Sequence, residues 1–348
     1  MVSATTQPHT PSTARRFVRL TRPAAVIVTV LATTFVWTGR ASAATTTKIK
    51  ASVTGATLNV TGSGEKDDIA LRLRSNDPTT LEVVDVRQAV ILSFNRNDFD
   101  HIFVSTLEND DTVTVDDSGG VFTDTESTTI DGGRGDDILT GGSGSERLSG
   151  GPGADLVNGG RGADVGFLGD GNDTFVWNPG DGSDTVEGQD GTDRLVFNGA
   201  NLDEKVTLSA NGSRLRFFRD IATITMDVDG VENVDFHALG GADTVTVDDL
   251  TGTDVTHVDT DLASPAGSGT GDGSADNVIV NGTNGNDTVN VTGKDGTAKV
   301  RGLVPTVTIA GAEFTNDRLD INTLIGADTV RSQLAPNDIP LFVNGNPV

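Results

Sequence analysis

A nine-residue pattern of glycine and aspartate dominates the middle of the chain. From Gly132, five consecutive units read GGRGDDILT, GGSGSERLS, GGPGADLVN, GGRGADVGF and LGDGNDTFV. Their shared frame is G-G-x-G-x-D-x-U-x, in which U is a large apolar residue. Glycine allows positive φ and leaves backbone carbonyls uncovered by a Cβ, while the sixth-position aspartate adds a carboxylate. The pattern therefore predicts loops that present hard oxygen donors at regular intervals.

The same frame predicts how these loops are arranged. The last three residues of a unit form a short strand with one inward apolar side chain, at Leu139, Leu148, Val157 and Phe175. Two units make one turn of about 18 residues, so equivalent loops stack ~4.8 Å apart. Carboxylates at that spacing repel one another, and carboxylate and carbonyl oxygens from two adjacent turns suit Ca²⁺ better than Mg²⁺, which requires a tighter octahedron. We expect several Ca²⁺ ions between stacked turns.

These units resemble the hemolysin-type calcium-binding repeats of RTX proteins. In that family the repeats form a parallel β-roll, with Ca²⁺ held between turns by the sixth-position aspartate and by loop carbonyls. The resemblance implies metal ligands at Asp137, Asp155, Asp164, Asp173, Asp184 and Asp193, and at the loop glycines Gly133, Gly135, Gly151, Gly153, Gly160 and Gly162. Stacking on one side would pair Asp137 with Asp155 and Asp155 with Asp173.

Several positions depart from the family pattern. Glu146 replaces the sixth-position aspartate that would stack with Asp164 on the other side of the roll. Gly166 replaces the apolar residue of the fourth unit, and Leu168 replaces the first glycine of the fifth. Asp184 and Asp193 belong to two further units that drift from the frame. Because Asp173 and Asp184 are eleven residues apart, we expect the segment 177–179 (Trp-Asn-Pro) to bulge out of the winding.

A longer repeat occurs on both sides of the nonapeptides. Alternating segments that begin at Ile102, Val234 and Leu319 each lead through a leucine and a polar turn to D-T-V. This period-2 alternation is typical of strands with one buried face. The chain is therefore predicted to be all-β: a parallel β-roll or β-helix solenoid at 131–195, with flanking β-rich solenoid-like segments at 44–130 and 196–348. The Gly/Ser/Asp-rich stretch 264–276 is predicted to be a flexible loop.

The first 43 residues have the features of a secretory signal peptide. Four arginines precede a mostly apolar segment from Pro23 to Trp37, and Ala41-Ser42-Ala43 fits a cleavage site. The alternative is a transmembrane anchor, but the apolar segment falls short of the ~20 residues that span a bilayer. We expect a secreted, extracellular protein that begins at residue 44, with no membrane span in the mature chain.

Composition and motifs limit the functions that remain. The chain has 50 acidic residues against 25 lysines and arginines, and no cysteine. The lack of cysteine excludes disulfides and thiol catalysis, and the acid excess argues against nucleic acid as a partner. H-E-x-x-H and G-x-S-x-G are both absent, so zinc-protease and nucleophile-elbow chemistry are not indicated.

Four interpretations remain. The first is a secreted calcium-binding protein with a structural or adhesive role, for which cell-surface or matrix glycans are candidate partners. The second is an extracellular carbohydrate-active enzyme on a β-helix scaffold, because paired carboxylates suffice for such chemistry. The third is a flexible acidic linker without metal. The fourth is an ice-binding threonine ladder, which is suggested by the T-x-T strands Thr112/Thr114 and Thr244/Thr246.

Overall fold

The computed structural model describes residues 49–348. The predicted signal peptide, residues 1–43, lies outside the described residues. Strands account for about half of the described residues and turns and loops for nearly all the rest, because alternating apolar segments are interrupted every few positions by glycine and aspartate turns. The prediction of an all-β parallel solenoid is confirmed.

The described residues form short strands and three single-turn 3-10 helices. The first strands are β1 Lys50–Thr54, β2 Thr57–Thr61, β3 Asp68–Arg74, β4 Asp77–Asp85, β5 Val90–Asn95, β6 His101–Ser105, β7 Thr112–Asp116, β8 Ser127–Asp131, β9 Ile138–Thr140, β10 Arg147–Gly153, β11 Leu156–Asn158, β12 Val165–Gly171, β13 Thr174–Trp177, β14 Thr185–Gly191 and β15 Arg194–Asn198. They are followed by β16 Lys205–Asn211, β17 Arg214–Arg219, β18 Ile224–Asp229, β19 Asn233–His237, β20 Thr244–Val247, β21 His257–Asp261, β22 Asn277–Asn281, β23 Thr288–Lys294, β24 Thr297–Arg301, β25 Thr306–Ala310, β26 Arg318–Asn322, β27 Thr329–Gln333, β28 Leu341–Val343 and β29 Asn346–Pro347. The 3-10 helices are Arg96–Asp98, Asp117–Gly119 and Ile221–Thr223.

Two large sheets contain all of these strands. Sheet 1 has the order β1-β2-β6-β8-β10-β12-β14-β18-β17-β16-β20-β22-β26-β28-β29, and sheet 2 has the order β27-β23-β24-β25-β21-β19-β15-β13-β11-β9-β7-β3-β4-β5. From β6 to β15 the chain alternates between the sheets. Each strand from β6 to β13 pairs in parallel with the strand two positions later in the chain, whereas β14 pairs with β18 and β15 with β19. Antiparallel hairpins β3–β5, β16–β18 and β23–β25 are inserted into this winding.

The core lies between the two sheets. In the nonapeptide segment, Leu139 pairs with Val157 and Val157 with Phe175, so successive turns are 18 residues apart. Gly166 occupies an inward position, and a Cβ there would come within 2.9 Å of the Phe175 ring. The phenylalanine therefore fills the space that the missing side chain leaves.

An aromatic stack follows the nonapeptides inside the solenoid. Trp177 stacks on Phe197 with ring centroids 4.0 Å apart, and Phe197 stacks on Phe217 at 4.3 Å. The prediction that Trp177 bulges out of the winding is wrong. Its ring is buried against Phe197, and only the residues after it, 178–180, are exposed.

Between residues 49 and 348, no helix combines the length and apolar character needed to cross a membrane.

Candidate metal centre

A buried acid directly precedes every strand from β9 to β15. Asp137 precedes β9 and Asp155 precedes β11, both in sheet 2, while Asp164 precedes β12 in sheet 1. These three side chains belong to residues that are 1–2 % exposed. The nonapeptide pattern therefore places carboxylates along two edges of the solenoid, one edge for each sheet.

A ladder of hydrogen bonds joins the acids that precede sheet 2. Oδ1 of Asp155 accepts the backbone N–H of Asp137 at 2.7 Å, and Oδ1 of Asp173 accepts that of Asp155 at 2.7 Å. We call this the first ladder. It comprises Asp67, Asp111, Asp137, Asp155, Asp173 and Asp193, and it ends where Glu232 accepts the N–H of Asp193.

A second ladder joins the acids that precede sheet 1. Oδ1 of Asp164 accepts the N–H of Glu146 at 2.7 Å, and Oδ1 of Asp184 accepts the N–H of Asp164 at 3.0 Å. Although Glu146 departs from the repeat frame, it keeps its place in this ladder. Together the two ladders contain all six aspartates that the sequence singled out.

The second carboxylate oxygen of most ladder residues has no partner. Oδ2 of Asp111, Asp137, Asp155, Asp164, Asp173 and Asp193, and Oε1 of Glu146, are buried without a hydrogen-bond partner among the described residues. A buried polar atom without a partner is costly, most of all when it carries charge. These oxygens therefore need a cation, a proton or water.

Loops outside the nonapeptides show how such an oxygen can be satisfied without an ion. In the loop that ends at Asp67, Oδ2 accepts the N–H of Ser63, the second residue of the same loop. In the nonapeptide loop, the second-position N–H of Gly133 instead donates to the carbonyl of Gly150 in the next turn, at 3.0 Å. This arrangement leaves Oδ2 of Asp137 without its local donor and free for another ligand, whereas in the loop that ends at Glu146 the N–H of Gly142 still donates to Oε2 at 2.9 Å.

Burial raises the pKa of the ladder carboxyls. The pKa of Asp137 and of Asp155 is raised to about 7, and that of Asp164 to about 9. Desolvation is the largest cause in each case, neighbouring carboxylates add to it, and the hydrogen bond from the adjacent backbone N–H partly offsets it. The ionised form of each group is therefore poorly stabilised by the protein alone.

The loop glycines bring carbonyl oxygens close to the next turn. A Cβ on Gly151, where φ is +108°, would collide with the carbonyl oxygen of Gly133. The same overlap relates Gly153 to the carbonyl of Gly135, and Gly162 to that of Gly144. Gly160 would likewise meet the carbonyl of Gly142. Because glycine has no Cβ, the second and fourth positions of one loop can lie directly against carbonyl oxygens of the neighbouring loop.

The donor set suits a calcium ion that is held largely by backbone. Within residues 49–348, no three histidine, aspartate or glutamate side chains are arranged to hold a metal ion by themselves. A cation at these edges must therefore combine carboxylate oxygens with carbonyls. Ca²⁺ accepts such a mixture of six to eight oxygens in flexible geometry, so the residues present fit this ion.

Sequence reasoning missed acids outside the glycine frame. Asp111 lies in the first ladder, and its Oδ2 is buried without a partner. Asp243, which follows a different loop, has the same kind of free oxygen. Both loops carry a leucine with positive φ at the second position, Leu107 at +83° and Leu239 at +67°. The sequence signal that could have revealed these two acids is the constant spacing from the leucine to the D-T-V motif that contains the aspartate.

Comparison with protein families identifies the repeats. Residues 123–154, 140–175 and 180–201 match the RTX calcium-binding nonapeptide repeat (4 copies). The chain therefore carries RTX calcium-binding repeats, as the sequence predicted. No functionally characterised protein shows significant similarity to the chain.

Proposed function

We propose that this chain, which carries RTX calcium-binding repeats, is a secreted protein whose β-roll is ordered by Ca²⁺ and which has a structural or adhesive role. The observation that supports this proposal is the row of buried carboxylate oxygens along both ladders for which the described part of the chain provides no hydrogen-bond partner. Burial raises the pKa of Asp155 most, and the neighbouring carboxylates of Asp173, Asp137 and Asp136 raise it further. Each of these buried carboxylates would therefore be stabilised by a positive charge.

The residues that would hold the ions follow from the ladders. They are the carboxylates of Asp137, Asp155, Asp173 and Asp193 along the first ladder and of Asp164 and Asp184 along the second, with carbonyls of the loop glycines. When bound, Ca²⁺ supplies the positive charge that stacked carboxylates require. The chain's own contribution is to hold one oxygen of each carboxylate on a backbone N–H, which fixes the direction of the other.

The energetics favour folding outside the cell. Removal of residues 1–43 takes away five arginines and no acid, and leaves a net charge of −30 that resists compaction. Extracellular calcium modules bind with Kd of roughly 10⁻⁴–10⁻³ M. At ligand concentrations of 1 to 10 times Kd, each site adds about 0.4–1.4 kcal/mol. Several sites together are comparable with the net stability of a domain.

Circular dichroism and equilibrium dialysis test the calcium-dependent fold. We expect the purified chain to gain β structure and thermal stability on transfer from chelator to millimolar Ca²⁺, and to bind several ions. Magnesium at the same concentration is the matched control, and it should have a smaller effect. Identical spectra and melting temperatures in chelator and in calcium would contradict the proposal.

Secretion and adhesion are tested separately. Amino-terminal sequencing of protein from the culture medium should read from Ala44. A glycan array and a cell-surface pull-down, each with and without Ca²⁺, should show calcium-dependent binding if the role is adhesive. Calcium-independent binding, or none, would leave a structural role as the proposal.

A groove on the solvent face of sheet 2 favours a second candidate, a carbohydrate-active enzyme. The groove has a volume of about 440 Å³, and its lining includes Asp235, His237, Asp259, Asp261 and Lys299. Asp235 and Asp259 are direct neighbours on adjacent parallel strands, so their α-carbons are ~4.8 Å apart. A pair of carboxylates is what glycoside hydrolysis requires, and Asp235 also forms an ion pair with Arg194.

The histidine of this groove is held in one orientation. Asn198 donates through Nδ2 to Asn178, so its Oδ1 accepts from Nδ1 of His237 at 2.8 Å. Nε2 is then the nitrogen able to accept a proton. Incubation with a panel of polysaccharides should release reducing ends if the enzyme proposal is correct, and Asp259→Asn should abolish the release. Absence of products from the wild-type chain would refute this candidate.

A further inference from the structure

A third ladder lies outside the residues that match the family. Oδ1 of Asp243 accepts the N–H of Glu204 at 2.8 Å, and Oδ1 of Asp276 accepts the N–H of Asp243 at 2.8 Å. Oδ1 of Asp317 then accepts the N–H of Asp276 at 3.0 Å. This third ladder repeats the bonding of the first two, although its loops lack the nonapeptide frame. Asp276 lies at the end of the stretch 264–276 and is buried.

Two members of the third ladder are satisfied within their own loops. Oε2 of Glu204 accepts the N–H of Ala200 at 3.2 Å, and Oδ2 of Asp317 accepts that of Glu313 at 2.6 Å. Asp243 differs from both. It is 2 % exposed, and its Oδ2 is buried without a hydrogen-bond partner among the described residues. In this respect Asp243 matches Asp155 of the nonapeptides.

Among the described residues, Glu204 has a cationic partner and Asp243 has none. Arg219, whose side chain is 4 % exposed, forms an ion pair with the fully buried Glu204, with Nε at 2.6 Å from Oε1. Burial is the main reason that the pKa of Asp243 is raised to about 8, and the nearby carboxylates of Asp276, Glu204 and Asp272 raise it further. The carboxylate next to Asp243 in the ladder is thus neutralised from within the chain, while Asp243 is not.

Further oxygen atoms surround the loop that ends at Asp243. A Cβ on Gly240 would lie 2.9 Å from Oδ1 of Asn201 and 3.3 Å from Oδ2 of Asp272. A Cβ on Gly241 would overlap the carbonyl of Leu202. Oxygen donors from the loops on both sides therefore approach this one, and all of them are hard ligands of the kind that Ca²⁺ prefers.

We propose that Asp243 binds an additional divalent cation of the calcium class, between the loops 199–204, 238–243 and 271–276. Asp243 contributes the free carboxylate oxygen, and Asn201, Asp272 and the carbonyl of Leu202 are the neighbouring donors. This inference rests on the proposed calcium-binding function. It extends that function to a segment beyond the recognised repeats.

Ion counting on the full chain tests the proposal. Equilibrium dialysis with radioactive calcium should show one ion fewer bound to Asp243→Asn than to the wild type. The matched control is Asp295→Asn, which removes the same charge from an exposed side chain and should bind the wild-type number. An unchanged count in Asp243→Asn, combined with greater stability in chelator, would show that a proton neutralises this carboxyl and would overturn the proposal.

Crystals of the wild-type chain soaked in terbium provide a measurement that does not depend on the folding of a variant. We expect anomalous peaks beside Asp155 and beside Asp243. Peaks beside Asp155 with none beside Asp243 would overturn this inference and leave the proposed function intact. Peaks at neither aspartate, with no calcium bound in solution, would overturn both.

Discussion

Replacement of Asp155 by asparagine separates the two roles of a ladder carboxylate. Asparagine keeps an oxygen that can accept the N–H of Asp137, which Asp155 does at 2.7 Å. It removes the negative charge that burial disfavours. Asp155→Asn should therefore stabilise the calcium-free chain at alkaline pH and destabilise the calcium-bound chain.

The size of the effect follows from the pKa of Asp155. An increase of that pKa from an ordinary value of 3.8 to about 7 makes the ionised form less favourable in the fold by up to about 4 kcal/mol, at 1.36 kcal/mol per pH unit. In chelator at pH 8, the variant should gain part of this amount in its free energy of unfolding. In saturating calcium it should lose the contribution of at least one ion, about 1.4 kcal/mol at ten times Kd.

Denaturant unfolding followed by tryptophan fluorescence provides the assay. In a chain that begins at residue 44, Trp177 is the single tryptophan, and it lies in the stack directly after the nonapeptides. Asp295→Asn serves as the control for loss of charge alone, and it should shift neither curve by more than about 0.5 kcal/mol. A variant Asp155→Asn that is less stable than the wild type in chelator at pH 8 would refute the reasoning.

Three further predictions follow from the same contacts. In chelator, the free energy of unfolding should fall as pH rises from about 4 through 7, because ladder carboxyls such as Asp155 have a raised pKa in the folded state. Calcium should make this pH dependence smaller, which a series of thermal melts at different pH values would show. Gly150→Ala should destabilise the chain by about 1–3 kcal/mol in urea unfolding, because its Cβ would overlap Oδ2 of Asp155, whereas Gly64→Ala, with no atom nearby, should be close to neutral. Arg219→Met should lower the free energy of unfolding by about 3–5 kcal/mol, because it leaves the buried charge of Glu204 unpaired. In a double-mutant cycle, the added substitution Glu204→Gln should restore most of that free energy.

The strict nonapeptide frame made much of the candidate site predictable. A carbonyl from the neighbouring turn abuts the second and fourth positions, so only glycine fits at Gly151 and Gly153, and the period is visible in the sequence. The 18-residue turn and the stacking of Asp137 on Asp155 follow directly.

Other features depend on contacts that no local pattern carries. Trp177 follows a repeat unit and precedes a proline, which suggested a bulge, yet its ring is buried because Phe197 offers a stacking partner twenty residues later. Asp243 was not recognised because Leu239 takes the left-handed conformation that glycine usually occupies. Whether an acid is satisfied by its own loop, as Asp67 is, or left with a free oxygen depends on where one backbone N–H points.

The interior of the winding is unevenly filled, and this has a mechanical consequence. Strands β9 and β11 each direct a single apolar side chain inward, Leu139 and Val157, whereas β6 and β7 each direct two. The turns of the nonapeptide segment therefore have fewer buried apolar side chains to hold the two sheets together when the ions are removed. In chelator the solenoid should therefore lose rigidity first in the nonapeptide segment, which would then act as a flexible hinge between the more rigid flanking segments.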